Sequence, residues 1–128
     1  MANDFPAEIE EFIGQHIESL AQLELLLLLR RESTRSWSRE DLSRQLYVTT
    51  DVCTGIIGDL ERRGFVLRDA ADSNLTRYRS GLAEVDKLID QLASLYHHRR
   101  VAVITLIYSK PVKKVQTFAD AFRLRREQ

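Results

Sequence analysis

Between Ser36 and Gly81 the chain carries start, stop and turn signals in such close order that one local architecture satisfies them all. Ser38 is placed to cap the backbone N–H groups of a first helical turn, with Asp41 three residues on as a weaker relative of the capping box. Trp37 before the cap and Leu42 after it have the spacing of a hydrophobic staple, which sets the angle at which the chain enters the helix. This helix is expected to run to Leu46. Tyr47 and Val48 make a tight connection, and Thr49 caps a second helix whose Val52, Ile56, Ile57 and Leu60 recur at the period of one buried face. Arg62 and Arg63 suit the negative end of its dipole, and Gly64 can take the left-handed conformation that stops helices. Phe65 to Arg68 then alternates as a strand, Asp69 to Asn74 is rich in turn formers, and Leu75 to Arg79 returns antiparallel. The expected unit is two short helices, a tight turn and a β-hairpin.

That order, with a Leu-rich helix in front, resembles the winged-helix domains of MarR-type and related bacterial transcription regulators over Ser19 to Gly81. Asp41, Leu42, Leu46, Leu60, Gly64, Phe65 and Val66 carry the resemblance, with Arg77 and Tyr78 on the returning strand. It implies a mainly α fold with a small β-hairpin: a winged helix-turn-helix (36–81) between N-terminal helices (1–35) and C-terminal helices (82–128). It also implies duplex DNA as partner and a homodimer built from helices outside the winged unit. Most of these positions are structural, and the same fold is used purely for protein contacts, so function has to come from the exposed residues. The alternative is an interaction module that has lost DNA binding and regulates a protein of the transcription machinery.

Charge makes that alternative worth carrying. The 19 basic and 19 acidic residues cancel, whereas a grip on phosphates normally comes from excess Lys and Arg. The distribution is uneven: residues 1–34 are acidic, 35–96 nearly balanced, and 97–128 basic, with Lys110, Lys113, Lys114, Arg123, Arg125 and Arg126 in the tail. Neutralisation of that tail by the acidic first helix, of the same or a neighbouring subunit, is the plainer reading beside contact with phosphates. Any phosphate footprint of the winged unit must then be made locally by Arg39, Arg44, Arg68, Arg77 or Arg79.

On the second helix Thr50, Asp51, Thr54, Gly55, Gly58 and Arg62 are expected to face outward, with Thr50, Thr54 and Arg62 the candidate DNA contacts. Few of these read bases: Arg, Lys, Asn and Gln are the usual readers, and Asp only accepts from cytosine and is repelled by phosphates. The hairpin is the stronger signal, since Arg77 and Arg79 share a strand face. Asp69 and Asp72 lie close enough in sequence to pair with its arginines and silence it.

In front, Ile9, Phe12, Ile13, Ile17 and Leu20 fall on one face of an amphipathic helix expected over Ala7 to Leu20, and Leu23 to Leu29 is apolar on every side, as for a helix sandwiched between layers. Behind, Leu82, Val85, Ile89, Leu92, Tyr96, Arg99, Val103 and Leu106 alternate three and four residues apart. That stripe is read as a helical seam that packs internally and against a second subunit at once, with mere closure of the monomer core as the alternative. Val101 to Tyr108 is read as a continuation of this helix despite its β-branched residues, with Ser109 to Pro111 as the first stop. A last helix is expected over Val112 to Arg123, with Val115, Phe118, Ala119 and Phe122 on one face.

Catalysis finds no foothold. Phosphate loop and nucleophile elbow are missing, and His16, His97 and His98 lack the spacing of a metal site, so no enzyme activity, cofactor or metal is expected. The longest apolar run, Leu25 to Leu29, is far short of the roughly 20 residues that a membrane span requires. With no signal peptide in the opening residues and Cys53 alone, a cytoplasmic protein is expected, with Cys53 as a small apolar filler.

Overall fold

The computed structural model describes residues 5–79 and 81–109, which form six helices and a small sheet. The expected last helix and the basic tail lie outside the described residues. Helix α1 spans Ala7–His16 and α2 spans Leu20–Arg31. The first helix therefore stops short of the expected Leu20. Ser19 explains why: its hydroxyl accepts from the Gln22 N–H, and the Gln22 side-chain oxygen accepts from the Glu18 N–H. Ser19 and Gln22 thus close α2 with a variant of the capping box, and the intervening Ile17 goes extended while remaining fully buried.

Helix α2 is the centre of the molecule. Its Leu23, Leu25, Leu26 and Leu29 are wholly buried, and it touches α3 (Arg39–Leu46), α4 (Thr50–Arg62), β3 (Leu75–Tyr78) and α5 (Ala83–His98). Each buried Leu contributes about 2 kcal/mol of transfer free energy, so this all-round apolar helix ties the winged unit to the flanking helices.

The caps of the winged unit are those expected. Ser38 accepts from the Asp41 N–H and Thr49 from the Val52 N–H. Gly64, at φ 85°, ends α4: the Phe65 N–H returns to the Leu60 carbonyl and the Gly64 N–H to the Glu61 carbonyl, a Schellman closure with Phe65 and Leu60 both buried. Strand β2 (Val66–Arg68) pairs antiparallel with β3 in the register Val66–Tyr78, Leu67–Arg77 and Arg68–Thr76. A two-residue strand β1 (Trp37–Ser38) adds to the other edge of β3, giving the order β1-β3-β2. That third strand was not foreseen, because two residues carry no periodicity.

On α4 the buried stripe is Cys53, Ile57 and Leu60. Val52, assigned to that face from the sequence, is 48% exposed, and Ile56 is half-buried. The stripe keeps Ile57 and Leu60 and takes Cys53 in place of Val52, a turn of less than the roughly 100° of one residue.

After the hairpin the chain forms α5 and then reverses at Arg99 (φ −135°, ψ 55°) into α6, Arg100–Tyr108. Residues 101–108 are helical as read, but the single long helix expected is two. No Gly or Pro marks the break. The reversal lets Val103 and Ile107 bury fully, with α6 packed on α1 and α5, and puts the Arg99 guanidinium 4.9 Å from the centre of the Phe5 ring. Burial of two large side chains outweighs one lost helical turn. Among the described residues no single helix is long and apolar enough to cross a membrane.

Candidate nucleic-acid interface

The six candidate arginines of the winged unit sort by strand face and by distance to a carboxylate. Period-two alternation puts Arg68 on the side of β2 that faces α4, where its Nε donates to Glu61 at 3.0 Å and the guanidinium lies over Gly58. Arg68, a candidate DNA contact from the sequence, is thus half-buried and paired with a carboxylate of the same chain. A Cβ at Gly58 would meet only the flexible ends of Arg62 and Arg68, at 3.5 and 4.0 Å, so this contact does not require glycine there. Arg44 pairs with Asp41, and Arg62 with Asp59 at 3.5 Å; both remain exposed.

Among the described residues the other three have no carboxylate partner. Arg77, opposite Leu67, and Arg79 are exposed, and neither guanidinium has an ion pair or hydrogen bond among the described residues. The silencing considered above does not occur, because the wing acids are occupied by the turn. Asp69 accepts from the Ala71 and Asp72 N–H groups, and Asp72 accepts from the Asn74 N–H. Arg39 donates to the side-chain oxygens of Asn74 (3.1 Å) and Thr54 (3.2 Å), both neutral. It therefore braces the wing turn against α4 and is half-buried in doing so. Asn74 completes the brace by donating to Glu40, a bond that holds the Glu40 carboxyl below its usual range.

The outer face of α4 presents Thr50, Asp51, Val52 and Gly55. Thr54 is half-buried, held by Arg39 and by its own bond to the Thr50 carbonyl, so it is a brace more than a reader. Cys53 is fully buried, and burial pushes its thiol up. Sequence reasoning passed over Tyr47, which takes the left-handed conformation (φ 57°, ψ 43°) at the turn before α4 and is 95% exposed. The available signal was its position directly after a helix end, where Gly or Asn is usual. Also missed was Asp59, which accepts from Gln22 (2.6 Å) and Arg63 (2.9 Å) and fastens the end of α4 to α2.

Within the single chain the candidate dimerisation stripe packs internally. Ile89, Leu92 and Val103 are wholly buried within the single chain, and Val85 and Leu106 are half-buried against the same core. Tyr96 is half-buried and donates to Glu24 at 2.5 Å. A three-to-four spacing describes any packed helix, and here its centre closes the monomer. Of the stripe only Leu82 is well exposed, at 69%; Val101 (76%) and Tyr108 (57%) stand out on α6.

Between α2, α3 and α5 a cleft of about 560 Å³ opens, with Glu24, Arg30, Asp90, Tyr96 and Arg100 on its walls. Its charges answer one another: Arg30 binds Asp90 through two bonds of 2.9 and 2.8 Å, and Arg100 lies 3.4 Å from Glu24.

No protein-family model matches the chain, and no curated protein matches it. Solved structures do. MepR, a transcription regulator of the Staphylococcus aureus multidrug efflux pump MepA, is 16% identical over 94% of this chain and 91% of its own, with a TM-score of 0.52. S. aureus MepR in its DNA complex is 17% identical over 91% and 86%, with a TM-score of 0.51. The heme sensor PefR from Streptococcus agalactiae, in complex with heme, is 11% identical over 90% and 79%, with a TM-score of 0.53. The chain has the winged-helix fold of MarR-family regulators. At these identities the likeness concerns the backbone. What this winged helix does rests on its own side chains.

Proposed function

We propose that the protein is a duplex-DNA-binding transcription regulator that docks through α4 and the wing. The observation that carries this reading is that Arg39, Arg77 and Arg79 have no carboxylate partner among the described residues, while the acids of the wing close its turn. In a chain with zero net charge, arginines left unpaired on the winged unit, Arg39 against α4 and Arg77 and Arg79 on the outer face of the hairpin, supply the local potential that a phosphate backbone requires. Because Thr50, Asp51, Val52 and Gly55 offer few base-reading groups, affinity comes mostly from backbone contacts and specificity from DNA shape. The DNA complex of MepR, a protein of the same fold, supports this reading. A homodimer fits it, since paired winged helices reach two half-sites, and Leu82, Val101 and Tyr108 are the exposed apolar residues from which an interface would be built. The solved structures lend no support to the interaction-module alternative.

The deciding experiment is a titration of genomic duplex fragments across a salt series, beside sedimentation of the protein alone. Salt-sensitive retention of particular fragments by a dimer is expected. Absence of binding even at low salt would sink the proposal.

A further inference from the structure

We propose that Tyr47 contacts the DNA backbone, its phenol donating to a phosphate oxygen at the edge of the groove that α4 enters. The inference rests on the duplex-binding reading above and adds a residue outside the arginine set. Among the described residues Tyr47 is the only non-glycine at positive φ. Its backbone closes α3, with the Val48 N–H returning to the Ser43 carbonyl, a task that Gly performs without the clash between Cβ and carbonyl that any other residue meets in this conformation. Helix closure therefore accounts for the conformation but not for the aromatic side chain.

Core packing does not account for it either. The chain has four tyrosines. Tyr78 donates to Asp86, Tyr96 donates to Glu24, and the Tyr108 hydroxyl accepts from the Leu20 N–H. The side chain of Tyr47 alone has neither a hydrogen bond nor a ring contact among the described residues, and it projects into solvent. Strain kept at an exposed position points to a use for the side chain.

Position supplies the use. Tyr47 immediately precedes Val48 and the Thr49 cap of α4, and in helix-turn-helix docking the start of the second helix meets base edges while neighbouring groups meet the flanking backbone. The exposed residues beside it, Arg44, Gln45, Thr49, Thr50 and Asp51, are polar, and the next exposed residue along α4, Val52, is the apolar exception. That setting suits a wet phosphate contact better than an apolar protein footprint. Arg44 close by is tied to Asp41, so a neutral donor is what this edge of the interface offers.

The test compares wild type, Tyr47→Phe and Tyr47→Gly on a duplex fragment that the wild type retains. Tyr47→Phe is expected to keep the melting temperature and weaken binding roughly fivefold, the share of one hydrogen bond. Tyr47→Gly is expected to melt a few degrees higher, as the left-handed strain is released, yet to bind at least as weakly as Tyr47→Phe. In both, the slope of affinity against salt stays at the wild-type value, because the phenol carries no charge. Stability and affinity moving in opposite directions is the signature that a merely structural role cannot produce. Wild-type affinity in both variants overturns the proposal, as does unchanged DNA binding accompanied by altered self-association, which would make Tyr47 a contact between copies. If the wild type retains no duplex at low salt, this inference and the reading beneath it fall together.

Discussion

The seam between α2 and α5 and the outer face of the wing use the same residue types to opposite ends. In the seam every charge has an answer: Arg30 with Asp90, Tyr78 with Asp86, Glu24 with Tyr96 and Arg100. The Arg30 guanidinium holds the Asp90 carboxyl below its usual range, and burial together with Asp86 holds the Tyr78 phenol neutral. On the wing, Arg77 and Arg79 are unanswered because the carboxylates nearest in sequence bind backbone instead. A net charge of zero thus conceals one region that has spent its potential on cohesion and another that projects it. Total charge is a poor guide to what a small domain binds; the count of unpaired charges on one face is better.

That contrast can be broken at either end. The largest effect is expected in the packing beneath the seam: Leu26→Ala should cost about 3 kcal/mol, read by urea denaturation, and a loss below about 1 kcal/mol would mean that α2 is not the centre described. Next comes the projecting side. Arg77→Ala with Arg79→Ala should weaken duplex binding by tens of fold and reduce the salt slope by about two, the equivalent of two released counterions, while leaving thermal stability unchanged. Loss of stability with an unaltered slope would put these arginines on the cohesive side. Smaller again, Arg30→Met should lower stability by about 1 kcal/mol with the DNA salt slope intact. The smallest effect is alkaline. The Tyr96 phenol is pushed up to about 12 by burial and by Glu24. A group whose folded value is raised contributes stability in full below its unfolded value, about 10, and loses it as pH climbs toward 12. Chemical denaturation across that window should show the decline, to which the raised Tyr78 phenol also contributes, and Tyr96→Phe should make it shallower.

Signals acting within one or two turns were legible in the sequence. Ser38, Thr49 and Gly64 cap and stop their helices as read, and the hairpin forms between the expected residues, because each depends on near neighbours. The pair Ser19 and Gln22 was equally local, but Ile17 and Leu20 continued the apolar period across it and hid the helix end. The reversal at Arg99 had no local mark, since it is dictated by the burial of Val103 and Ile107 against α1. For the site, alternation foretold that Arg77 and Arg79 share a face. It did not foretell that Glu61, seven residues earlier on another element, would capture Arg68. The apolar stripe of α5 and α6 was legible only in part for a related reason: periodicity reveals that a face is covered and leaves open whether the cover is the same chain or another.

The burial of Cys53 gives the molecule an internal clock. The chain has a single thiol, enclosed on the inner stripe of α4 and held protonated, so a thiol reagent in solution can reach it only when that helix lifts from the core. The rate of labelling then times the opening of the very element that would enter the groove. Bound duplex should slow it, and no reporter group has to be added to watch that happen.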